Sequence, residues 1–265
     1  MSNAVVNNYW AERQAKAQTI LTNKSIKETE AQMVKYYRRS IKNVIYRFEK
    51  TYNKLLGTKE NGIEPTPADL YKLDTYWKMQ GQIKKELQRL GDKQHVLLSR
   101  QFEQHFYDIY QSIAIKDGIL FNEIDTDAVK QMINQIWCAD GKSWSSRIWT
   151  NTEKLQEALN DGLIECVVTG KKTAELKKAL QEQFKVSYSR ASSIVETELA
   201  HIQTQAARQR YTDYGLKEFE VWAEYDKKRC KICADLHKKR YPIGSQVPIP
   251  AHPRCRCCII PVVDD

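Results

Sequence analysis

Five of the seven cysteines fall in the last 36 residues, within the run DKKRCKICADLHKKRYPIGSQVPIPAHPRCRCCIIPVV. Cys230 and Cys233 form a C-x2-C pair, a spacing at which one tight turn presents two thiolates to one metal. Eighteen residues later, His252 and Cys255 form H-x2-C. The combined pattern is the layout of a four-ligand structural Zn²⁺ site. Cys257 is an alternate ligand in place of His252 or Cys255, and Cys258 is a remoter candidate. In a strand, Cys255 and Cys257 share one face while Cys258 points to the other. Pro248, Pro250 and Pro253 stiffen the return loop, so less entropy is lost when the second ligand pair is positioned. A redox role for the C-x2-C pair lacks the βαβ context of thioredoxin-like folds. A catalytic zinc needs an open position and a nearby base, whereas four or five good ligands argue for a closed site. Asp235 and His237 are expected at the surface. Glu198 and His201 form E-x2-H, but a di-iron bundle needs a second such pair. No G-x-S-x-G, P-loop or G-x-G-x-x-G occurs. The chain is expected not to be an enzyme.

The elements around these residues are mostly helical. The 265 residues include only 10 Gly and 7 Pro, which disfavours an all-β fold rich in tight turns. No Gly or Pro occurs before Gly57, and Ile41, Val44, Ile45, Phe48, Tyr52 and Leu55 recur at helical spacing. One very long helix, or two in sequence, is expected from about Asn8 to Leu56. Gly57 to Pro67 reads as a linker. Thr66, Pro67 and Asp69 then open a helix with a cap, a proline at the first position and an acid in the first turn. Gly91 and Asp92 are candidate breakers before a further helix from about Lys93 to Ile115. After a loop at Asp117 to Asn122, helices are expected over Thr126–Cys138 and Trp144–Glu165. Two more follow, one ending near Phe184 and one from about Ser187 to Gly215. Phe219, Val221, Ala223 and Tyr225 alternate with polar residues and Trp222, which is strand periodicity, and CCIIPVV is a second β-prone run. The expected fold is mainly α: an elongated, basic, helical N-terminal region (1–125), a helical part (126–216), and a compact C-terminal module (217–265) with a small zinc-stabilised β-hairpin. The abundant aromatics, among them Tyr36, Tyr37, Tyr46, Trp77, Trp144 and Trp149, read as helix-packing residues rather than as a base-stacking platform.

Net charge is +9. The stretch from Arg13 to Lys59 holds 12 basic residues against 3 acidic ones, so it carries an excess equal to that of the whole chain. It reads either as a solvated helix face or as a surface for polyanions, with DNA the obvious candidate. No apolar stretch reaches 18 residues and the N-terminus has no secretory architecture. No membrane association is expected, and a cytosolic site of synthesis is.

The tail resembles the phage Mu F-like minor head protein family, also called phage minor capsid or head morphogenesis proteins. The matching elements are Thr197-Glu198 in VETELAHIQTQAARQRYTDYG, then WAEYDKKRCKICADLHKKRYPI, then PIPAHPRCRC, with a softer match over Trp144 to Phe184. Two positions depart from the family's habit: Leu236-His237-Lys238 follows the second Cys without a Gly, and Glu196 precedes the Thr-Glu pair where many members carry Arg. The resemblance implies a virion component, present in few copies inside the head or near the portal. It would act in head morphogenesis, DNA packaging or early DNA ejection, with portal, capsid and scaffold proteins as partners. It would be found in the host cytoplasm during assembly and then in the virion. Some relatives are fused to toxin or transferase domains, and no such domain is expected after Asp265. The alternatives are a host nucleic-acid-binding zinc protein and a phage-encoded enzyme or toxin.

Overall fold

The computed structural model describes residues 3–56, 66–113, 124–223, 229–246 and 249–263. Most of the expected linker (57–65), the loop at Asp117 to Asn122, Tyr225 and Pro248 lie outside the described residues. The elements are α1 (Asn3–Leu56), α2 (Pro67–Lys72), α3 (Asp74–Ser112), α4 (Thr126–Asn134), α5 (Trp144–Val168), α6 (Thr173–Asp213), β1 (Glu218–Trp222), α7 (Lys231–Leu236), β2 (Arg240–Pro242) and β3 (Cys258–Pro261). The protein is mainly α with a small C-terminal sheet, as expected.

Local chemistry explains the ends. Thr66 caps α2 in a full capping box with Asp69, and Pro67 sits in the first turn. Asp125 caps α4 by accepting the Asp127 amide. Gly170 and Gly215 take positive φ of 61° and 71° just past α5 and α6. Behind them, Lys171 and Leu216 donate back to the Cys166 and Tyr211 carbonyls at 3.0 Å, the Schellman closure that only Gly enters freely.

Three breaks move. The helix opened by Thr66 stops at Leu73, where the backbone turns extended, and α3 starts at Asp74. Gly91 and Asp92 do not interrupt α3: a Cβ at Gly91 would lie 2.4 Å from the Trp149 ring, so this glycine admits an indole against the helix instead of ending it. The two helices expected between Thr173 and Gly215 are one, because nothing from Lys185 to Ser187 breaks the backbone and Phe184, Ser187 and Ala191 are all buried. The expected β-hairpin is part of a three-stranded antiparallel sheet ordered β2-β1-β3.

The chain divides into two compact units. The first comprises 1–29, 98–144 and 193–265. In it, Ala15 packs on Cys258 and Ile260, with Ala11 and Trp222 alongside. The Ile259 carbonyl on edge strand β3 accepts from Gln18 Nε2 and from the Tyr211 hydroxyl, each at 3.0 Å. Those two donors cover a strand edge that would otherwise offer a free carbonyl to another chain. Deeper in, His105 is fully buried with a hydroxyl at each ring nitrogen: Thr22 at 3.3 Å and Ser25 at 3.1 Å. Thr22 in turn donates to Gln203.

The second unit comprises 30–97 and 145–192. Its polar centre is Tyr37, whose hydroxyl meets Ser187 Oγ at 3.2 Å beside Asn151, which donates to the Ser187 carbonyl at 2.9 Å. Burial pushes the Tyr37 phenol up to about 12. Trp77 and Tyr46, expected to pack between helices, are surface residues at 61% and 64% exposure. Trp77 stacks on Tyr71 and donates its indole N–H to the Tyr71 carbonyl, bracing the α2–α3 break rather than filling a core.

Burial holds His105, and also His201, down to about 4. The folded values lie below the ordinary 6.5, so the native state prefers both rings neutral. Their stabilisation is complete above about pH 6.5 and is lost as pH falls toward 4. The expected loss is on the order of 3 kcal/mol for each histidine. The gap between denaturant midpoints at pH 7 and pH 4.5 should therefore be narrower in a His105→Gln, His201→Gln double variant than in the wild type. An unchanged gap between the two pH values would refute this.

Candidate metal centre

The sheet brings the ligand candidates together. β3 pairs with β1 so that Trp222 faces Cys258. On the other side of β1, the Lys238 amide donates to the Val221 carbonyl at 2.8 Å before β2 begins. Cys230 and Cys233 lie between β1 and β2, and His252, Cys255 and Cys257 lie just before β3. Both halves therefore meet at the same end of the sheet.

The side chains form two overlapping triads, Cys230–Cys233–His252 and Cys233–Cys255–Cys257. Within each, all ligand atoms lie within 4.8 Å of one another. Cys233 belongs to both: its Sγ is 3.3 Å from His252 Nε2 and 3.7 Å from Cys255 Sγ. All five residues named from spacing are brought together. Cys258 faces away into the apolar cluster with Ala15 and Ile260, as strand alternation requires.

The electrostatics suit a thiophilic cation. Cys230 caps α7 and its Sγ accepts the Cys233 amide at 3.3 Å. That hydrogen bond holds its thiol below the ordinary value, because it favours the charged form. Cys255 falls to about 5, chiefly through a hydrogen bond from the Cys257 thiol and then through the Cys257 and Ala251 amides. Burial pushes Cys233 up to about 12, and the bond to Cys255 raises Cys257. A buried cluster of thiols that is reluctant to hold several negative charges by itself is what a divalent cation resolves. His252 Nδ1 donates to the Pro253 carbonyl at 2.8 Å, leaving Nε2 free to face the thiols. This is the outer hydrogen bond that sets a ligand histidine's tautomer. The donor set therefore fits a metal of zinc's type, with Cys230, Cys233, His252 and Cys255 or Cys257 as the residues that would hold it.

The surroundings explain both departures noted in the sequence. The turn after α7 places Lys238 at φ 64°, a left-handed position that glycine would occupy freely. Lys238→Gly is expected to raise stability by about 1 kcal/mol, read as an upward shift in melting temperature; a fall would contradict it. Glu196 pairs with Arg254 at 3.2 Å, and the Arg254 amide donates to Thr197 Oγ1 at 3.1 Å. Arg254 itself sits at φ 60° between His252 and Cys255. Helix α6 thus grips the loop that carries half of the ligands. The half-exposed ion pair contributes little, whereas the hydrogen bond that Thr197, 9% exposed, accepts from the Arg254 amide matters more. Thr197→Val is expected to cost about 1–2 kcal/mol and to speed metal loss to a chelator severalfold, measured by stopped-flow with a chromogenic chelator. An unchanged rate would remove α6 from the site.

His237, expected at the surface, is half-buried. Its Nδ1 accepts the Ala223 amide at 3.2 Å and its ring meets Trp222 edge-on. Glu198 accepts the Trp137 indole N–H at 2.9 Å, and His201 stacks on that indole at 4.2 Å. Among the described residues, neither joins a potential metal-ligating group. Trp137 had no signal in the sequence, because it lies 61 residues from Glu198, past the end of α4.

A mainly α protein with a thiol–imidazole cluster clasped at one end of a small sheet is thus defined. Residues 156–260, which contain the whole cluster, match the family described as Phage Mu protein F like protein, and the resemblance read from the tail holds over that segment. A relative in Enterococcus faecalis (strain ATCC 700802 / V583), named NAD(+)--arginine ADP-ribosyltransferase EFV, is 25% identical over 186 residues, covering 63% of this chain and 38% of the relative. The chain therefore spans less than two fifths of that protein's length. No solved structure matches. No helix among the described residues is long and apolar enough to cross a membrane.

Proposed function

We propose that this chain is a structural minor head protein of a tailed phage or prophage, carried in few copies near the portal or inside the head. It acts there in head morphogenesis, DNA packaging or early DNA ejection, and its partners are portal, capsid or scaffold proteins. The cluster binds a structural Zn²⁺ through Cys230, Cys233, His252 and Cys255, with Cys257 able to replace one of them, and does no catalysis. The observation that carries the reading is that the cluster, its sheet up to Ile260 and the gripping turns of α6 fall within the residues matched by the phage family. A module of this size lacks core of its own, so a metal staple is a physically sufficient reason for the cysteines. The basic stretch of α1 adds sequence-blind contact with DNA.

The test is quantitative mass spectrometry of purified particles, both DNA-filled and empty. Low copy in both supports a head component installed during assembly. Absence from both overturns the reading and leaves a host nucleic-acid-binding zinc protein as the next case. The name of the Enterococcus relative supplies a second reading: transfer of ADP-ribose from NAD⁺ to an arginine substrate, measured with the purified chain, would replace a structural role with an enzymatic one.

A further inference from the structure

We propose that the second unit carries a phosphate-binding pocket between α1 and α3. Tyr36, Arg39, Ser40 and Asn43 of α1 and Glu86, Arg89, Leu90 and Lys93 of α3 surround an open cavity of about 80 Å³. A single water needs roughly 10–15 Å³ of such space, so a five-atom oxyanion fits. Three cations and one carboxylate give the lining a charge of +2, which suits a phosphate carrying one or two negative charges.

The second observation is Ser40. It is 2% exposed and, among the described residues, its hydroxyl has no hydrogen-bond partner. A helical serine ordinarily satisfies its hydroxyl on the carbonyl four residues back or in water. A buried orphan hydroxyl costs about 1–3 kcal/mol, and this one lines the cavity. A phosphate oxygen in the cavity accepts from it once the side chain turns toward the cavity. Arg39 and Arg89 approach from different helices, and the guanidinium fork matches two oxygens of a tetrahedral anion better than a single ammonium does. Lys93 lies with its Nζ 5.7 Å from the centre of the Tyr36 ring, which holds the ammonium at the rim. The phosphate comes either from a nucleic-acid backbone or from a free phosphate or small ester. The first source deepens the DNA contact proposed above, but the pocket stands apart from the head-protein assignment, since phosphate titration and particle composition can fail separately.

The experiment uses the full chain. Inorganic phosphate is titrated by calorimetry, and a short duplex DNA by fluorescence anisotropy. The variants are Arg89→Gln with Lys93→Gln, and Ser40→Ala; the charge-matched control is Lys177→Gln with Lys178→Gln, both exposed on α6. The pocket double variant is expected to weaken phosphate binding about tenfold or more, and Ser40→Ala severalfold, with the control unchanged. DNA affinity falling in the pocket variant but not in the control assigns the backbone as source. Phosphate binding lost while DNA affinity falls equally in both assigns a free phosphate or small ester. No phosphate binding by the wild type, together with DNA affinity equal in pocket and control variants, overturns the pocket. Arg89 and Lys93 are exposed, and unchanged melting curves will show that the variants are folded.

Discussion

Cys233→Ser is expected to abolish stoichiometric Zn²⁺ binding and to unfold the C-terminal sheet. Cys233 is the only ligand candidate shared by both triads, with its Sγ 3.3 Å from His252 Nε2 and 3.7 Å from Cys255 Sγ. Losing it leaves no three-ligand set intact, whereas losing Cys230 or Cys257 leaves one. Cys230→Ser should therefore weaken the metal less than Cys233→Ser, and Cys258→Ser, which lies in the apolar cluster with Ala15 and Ile260, should keep a full equivalent. Metal binding supplies roughly 10–16 kcal/mol in small zinc-stabilised folds, against which the contacts of β3 with Ala15, Gln18 and Tyr211 are the sheet's remaining support. Elemental analysis gives the stoichiometry, and hydrogen exchange at Phe219, Val221 and Ile260 reports the sheet. Full metal content with unchanged protection in Cys233→Ser would refute the ligand assignment. Acidification should release the metal as well, because thiolates and imidazole must shed their protons to bind it.

Gly91→Ala is expected to destabilise the second unit by about 1–3 kcal/mol, although the same change at an exposed helical position gains about 1 kcal/mol. The added Cβ would lie 2.4 to 3.0 Å from three atoms of the Trp149 ring. An indole cannot yield as the tip of a lysine can, so either the ring leaves its rotamer or α3 shifts. Trp149→Leu removes the obstacle at its own cost in packing, and the double variant should recover most of the alanine penalty. Denaturant midpoints for the four proteins of the cycle decide it. A neutral or stabilising Gly91→Ala would mean that α3 and α5 do not approach this closely.

What could be read from the sequence is what short-range chemistry controls. Thr66, Pro67 and Asp69 specify a helix start by bonds that span three residues. Gly215 specifies a stop because it must enter a left-handed conformation. C-x2-C and H-x2-C specify which side chains can meet a metal, since a turn holds each pair together wherever the rest of the chain goes. The alternation that separates Cys257 from Cys258 is likewise a property of one strand.

Tertiary structure decided everything that depends on a distant partner. Gly91 reads as a breaker until Trp149, 58 positions on, is seen to occupy the space its missing side chain leaves. Strand β2 is a three-residue run containing proline; it pairs only because Glu218–Glu220 present a register for it. Cys233 outranks the other ligands only once both triads are assembled. Residues 1–29 join 193–265 in one unit because Gln18 and Ala15 meet β3 more than 240 positions away. Spacing in a sequence sets which neighbours a residue meets within a turn of helix or strand. Which surfaces then bury one another is settled by the apolar area and hydrogen bonds of the whole chain, and no local window contains those.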